Sequence, residues 1–96
     1  MWDLLRDRAL DAARGGVADD AAVHKLLSAS GGDRRMFLAA RMRLAAELSV
    51  HESDVDARRA LGLIDDALSR GDSEGLWHPV LGGLEPWQFA RHHAPR

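Results

Sequence analysis

The stretch Met36–Val50, MFLAARMRLAAELSV, is the most apolar run in the chain and restricts its fold more than any other. At about 100° per residue, Phe37, Ala40, Leu44 and Leu48 share one stripe of a helix. Leu38, Met42, Ala45, Ala46 and Val50 spread over the rest of the circumference, and Arg41, Arg43 and Glu47 occupy narrow gaps. A helix apolar on nearly all sides is normally surrounded by other helices. The run is too short and too rich in arginine to span a bilayer, which needs roughly 20 apolar residues. It is therefore expected to be the central helix of a small bundle.

The 96 residues suit one domain, 1–96. Alanine and leucine abound while β-branched residues are few, which favours helix over strand. The expected fold is all-α: a small four-helix bundle with a short C-terminal fifth helix and a Gly/Pro-interrupted tail. The expected helices cover about 2–14, 20–30, 34–50, 54–70 and 86–92. Lys25 is the only lysine, and Asn, Thr, Tyr and Cys are absent. That bias fits a GC-rich, bacterial genome.

Local signals set the boundaries. Gly15-Gly16 and Gly31-Gly32 stop the first two helices, because glycine takes a left-handed conformation cheaply after a last turn. Asp19 or Asp20 caps the second helix and Asp33 the third. Ser53 and Asp56 stand at capping-box spacing and open the fourth, which Arg70-Gly71 closes. In the fourth helix Ala57, Ala60, Leu61, Leu63, Ile64, Ala67 and Leu68 cover one half. The other half is charged, with Asp54–Arg58 and Asp66–Arg70 as i,i+4 pairs. That pattern predicts a surface helix showing one face to the third.

Composition narrows the chemistry. Without cysteine there is no disulfide, thiol nucleophile or thiolate metal site. A net charge of −2 does not suggest a polyelectrolyte binder of nucleic acid. The N-terminus, MWDLLRD, lacks a basic region followed by an apolar run, so no secretory leader is expected and a cytoplasmic location follows. No membrane association is expected. His24, His51, His78, His92 and His93 form no i,i+4 pair and no His-Glu-x-x-His array, so no metal or other cofactor is expected. Asp19-Asp20 and Asp65-Asp66 fall on caps and solvated faces, where nothing lifts a carboxylate toward general acid–base work. No Gly-x-Ser-x-Gly occurs. An enzyme is not expected.

Two surfaces remain. Arg34, Arg35, Arg41 and Arg43 make the third helix locally basic and are candidate nucleic-acid or anion contacts. Their structural alternative is ion pairing with Asp19, Asp20, Asp54 or Asp56 on neighbouring helices. The second surface is the C-terminal segment, where Trp77, Val80, Leu81, Leu84, Trp87 and Phe89 are too apolar for a solvated tail. Either these rings close a thin, alanine-rich core, or Trp77, Trp87, Phe89 and Arg91 form a partner-binding patch, since tryptophan and arginine dominate binding hot spots. Both hold at once in a homodimer that exchanges tails. The expected function is a small non-catalytic helical protein–protein interaction module, a regulator or accessory subunit that self-associates. The alternative is a nucleic-acid-binding regulator using the Arg-rich third helix.

Overall fold

The computed structural model describes residues 3–16 and 19–79. Four helices pack together: α1 (Leu4–Arg14), α2 (Asp20–Ser30), α3 (Arg34–Val50) and α4 (Val55–Glu74). There is no strand among the described residues. The expected fifth helix at 86–92 lies outside them, as do Trp2, Trp87, Phe89 and Arg91.

Three aspartates start three of the helices. Asp19, Asp33 and Asp54 each take extended backbone, and their carboxylates accept from the amides of Ala22 at 3.1 Å, Arg35 at 3.0 Å and Ala57 at 3.0 Å. Each satisfies an amide that has no partner inside its helix. The fourth helix is thus capped by Asp54 and not by Ser53. A carboxylate at that position also meets the positive end of the helix dipole, which a hydroxyl does not. Gly31 closes α2 in the left-handed conformation at φ 60°.

The helix at the centre is α4, not α3. α4 packs against all three other helices, most extensively against α3 and α1. Its buried side runs through Ala57, Ala60, Leu63, Ile64, Ala67, Leu68 and Gly71. Small residues at four of those seven positions leave room for neighbours on more than one side. The charged half of α4 is real, but the apolar half is wide enough to serve three partners. α3 buries only a narrow stripe, Met36, Phe37, Ala40 and Leu44. Phe37, Leu5, Leu44 and Ile64 are the bulkiest fully buried side chains.

The fourth helix also passes straight through Gly71, where the sequence suggests a stop, and ends at Gly75 (φ 65°). There the amide of Leu76 donates to the Gly71 carbonyl at 3.0 Å, closing the last turn in Schellman fashion. The chain then doubles back, and the amide of His78 donates to the Gly32 carbonyl at 2.8 Å. Gly32 has φ 80°, and a Cβ on it would stand 3.0 Å from the His78 nitrogen, so backbone conformation and close approach both favour glycine. The segment after α4 is thereby fastened to the loop between α2 and α3.

Candidate interaction surface

The return of the chain brings Trp77 onto the core. Its indole lies 5.4 Å from the Phe37 ring, centroid to centroid, at an interplanar angle of 58°. That tilted arrangement is favourable for two aromatic quadrupoles. A Cβ on Gly71 would lie inside the indole's van der Waals envelope, so the absence of a side chain there makes the seat for the ring. The Trp77 Nε1 donates to Asp72 Oδ1 at 2.6 Å, and the same oxygen accepts from Arg34 Nε at 3.1 Å. The indole N–H, and secondly Arg34, hold the Asp72 carboxyl below the usual carboxylate range. Trp77 therefore closes one end of the bundle within a single molecule.

Each of the four arginines in the candidate basic patch is engaged by a carboxylate. Arg34 pairs with Asp72 at 3.1 Å, Arg41 with Asp65 at 2.8 Å and Arg43 with Asp3 at 2.7 Å. Arg35 grips Asp33 through two bonds of 3.0 Å. Pairing is the structural alternative the sequence offers, but the partners differ from the expected Asp19, Asp20, Asp54 and Asp56. Asp19 and Asp54 are occupied as caps, and Asp20 accepts from Arg70 at 2.8 Å. That last bond replaces the expected Asp66–Arg70 pair. Likewise Arg58 donates to the Glu52 carbonyl at 2.7 Å instead of pairing with Asp54.

These pairs leave a distinct surface. Arg41 and Arg43 flank the outward side of α3 and lean away from it, toward α4 and α1 respectively. Between them lies an apolar stripe of Leu38, Met42, Ala45, Ala46 and Val50. Leu38 is 38% exposed, Met42 72% and Val50 73%. The sequence reading placed these residues inside the bundle. They are outside because α4 has taken the central position, leaving α3 only one side to bury.

Sequence reasoning also missed the tie between α1 and α3. Arg6 bonds Glu47 on α3 and lies 2.7 Å from Asp7. The bond to Glu47 raises the Arg6 guanidinium above its usual pKa. The available signal was Glu47 itself, the lone carboxylate on a helix otherwise polar only through arginine and serine.

The remaining polar features are dispersed. His24, His51 and His78 are exposed on separate elements, and His92 and His93 lie outside the described residues. Among the described residues no three His, Asp or Glu side chains converge as a metal site would require. A shallow groove of about 270 Å³ between α1 and α2 is floored by Ala12, Ala22 and Leu26 and rimmed by Arg8, Asp11 and Lys25. No helix among the described residues is long and apolar enough to cross a membrane. No protein-family model, no curated protein and no solved structure matches the chain.

Proposed function

We propose that this chain is a small non-catalytic helical protein–protein interaction module, a regulator or accessory subunit, and that it self-associates through the outward face of α3. The observation that carries this reading is the apolar stripe Leu38–Met42–Ala45–Ala46–Val50, interrupted only by Ser49, whose hydroxyl donates to the Ala46 carbonyl, with its three largest side chains exposed. Contiguous apolar surface bordered by polar residues marks contact sites on small soluble domains. The bordering charges are already matched by Asp65 and Asp3, so two copies of the face can approach without unpaired like charge. Ala45 and Ala46 let another backbone come close, and Met42 adapts its shape to what it meets.

Nucleic acid is the weaker reading, because Arg34, Arg35, Arg41 and Arg43 would have to leave carboxylates before neutralising phosphates. It retains its own test: nucleic-acid affinity that falls steeply with salt and is weakened by Arg41→Ala.

Sedimentation equilibrium of the full chain over a wide concentration range tests the interaction reading. The expected result is a reversible self-association that Met42→Glu weakens on the order of tenfold or more, since a carboxylate would be buried without a partner. Identical sedimentation of the parent chain and Met42→Glu at every concentration would overturn it.

A further inference from the structure

We infer that the groove between α1 and α2 is a binding site for a medium-chain carboxylate, with the alkyl chain on the groove floor and the carboxylate held by Arg8 and Lys25. The site is built from α1 and α2 alone and does not depend on the reading of the outward face of α3.

The groove follows from small side chains on two neighbouring helices. α1 packs less extensively against α2 than against α4 or α3. Arg8 and Ala12 stand one turn apart on α1, as do Ala22 and Leu26 on α2, so each pair shares a face of its helix. Ala22 and Leu26 are buried and Ala12 is half-buried, which gives an apolar floor, and the alanines leave the space above it open. That space measures about 270 Å³. A water-sized group takes about 30 Å³, which makes room for about nine such groups. A carboxylate with an alkyl chain of about eight carbons is of that size.

The charge at the rim selects the sign of the ligand. Arg6, Arg34, Arg35, Arg41, Arg43 and Arg70 each meet a carboxylate. Arg8 and Lys25 meet none among the described residues, and both stand at the groove. Asp11, also on the rim, pairs with neither. Two cations against one carboxylate leave the rim net positive. A carboxylate between Arg8 and Lys25 gains charge-assisted bonds, while its alkyl chain leaves water over Ala12, Ala22 and Leu26. The groove between α2 and α4 is the contrast. It is larger, about 460 Å³, but its walls carry Asp19, Asp20, Asp66 and Glu74, and its Arg70 is already paired with Asp20 and Glu74. An anion is repelled there.

Titration of the full chain with octanoate, followed through the backbone amide signals, tests the site. The expected result is a saturable shift of the Ala12, Ala22, Lys25 and Leu26 signals. The dissociation constant should be on the order of a millimolar, as suits so few ligand atoms. Octanol, with the same chain and no charge, should bind severalfold more weakly. Arg8→Gln and Lys25→Gln, both at exposed positions, should each weaken octanoate roughly two- to fivefold, the range for an exposed ion pair, and leave octanol unchanged. Asp11→Asn removes a like charge and should tighten octanoate about twofold, a gain that damage to the fold does not produce. Ala12→Leu fills the groove and should abolish binding of both ligands. Ala21→Phe, at an exposed position lining the same groove, should do so without altering the floor. Octanoate shifts that never saturate, or that fall on the outward face of α3, would overturn the inference. So would octanol binding as tightly as octanoate, or unchanged octanoate affinity in the doubly substituted Arg8→Gln, Lys25→Gln chain. None of these results bears on the Met42→Glu sedimentation test, so the two readings fail separately.

Discussion

The benzo ring of Trp77 occupies the space that a side chain on Gly71 would fill. At an ordinary interior helix position, Gly→Ala stabilises by about 0.8–1 kcal/mol. Here the added methyl must displace the indole from Phe37. Gly71→Ala is expected to destabilise the chain by about 1–3 kcal/mol, the usual cost of overpacking. In a Trp77→Ala background the same change should become stabilising. Urea midpoints of the four chains in this double-mutant cycle decide the matter, and a stabilising Gly71→Ala in the parent chain would contradict the docked ring.

Asp72 makes part of that seat dependent on pH. Its carboxylate is held ionised by the Trp77 N–H first and by Arg34 second, so its folded pKa lies below its unfolded one. The stabilisation is fully present above the unfolded value of roughly 3.9 and is lost as pH falls through the lower folded value. The Asp72 side chain is half exposed, so solvent screens the effect and it is modest. Asp72→Asn should therefore be less stable than the parent chain near neutral pH, with the gap closing below pH of about 4. A gap that is unchanged across that range would show that the charge on Asp72 contributes nothing.

How much of this was legible in the sequence depends on distance along the chain. The Asp33 cap and the Gly31 stop are local events, governed by residues within one turn, and they were readable. Gly71 reads as a stop by the same rules. Its role is set by Trp77, six residues on, and no local rule carries that contact. The choice of central helix failed for a related reason. α3 looks apolar all round, but Ala45 and Ala46 cost little to expose, so hydrophobic count overstated its burial. α4 carries more charge, yet its alanines and Gly71 admit neighbours on several sides. The arginine patch was legible as paired or free, but which carboxylates remained for pairing depended on which had been used as caps.

The start of α4 separates two neighbouring residues. Asp54 accepts the Ala57 amide at 3.0 Å and is the cap, while Ser53 stands one residue outside it. Asp54→Ala is expected to cost about 0.5–2 kcal/mol, the range for losing a helix cap. Ser53→Ala should stay within about 0.5 kcal/mol, as exposed substitutions usually do. Equal losses at both positions, measured by chemical denaturation, would mean that the capping role is shared.

The two faces of α3 give the sharpest contrast. Leu44 is fully buried and Met42, two residues earlier, is 72% exposed. Leu44→Ala should destabilise by about 2–5 kcal/mol through lost transfer energy and an unfilled cavity. Met42→Ala should change thermal stability little in dilute solution, within about 0.5 kcal/mol. A larger loss that grows with protein concentration would place a second copy against Met42. The burial pattern of one helix thus separates a core stripe, where truncation is costly, from an exposed face, where it is not.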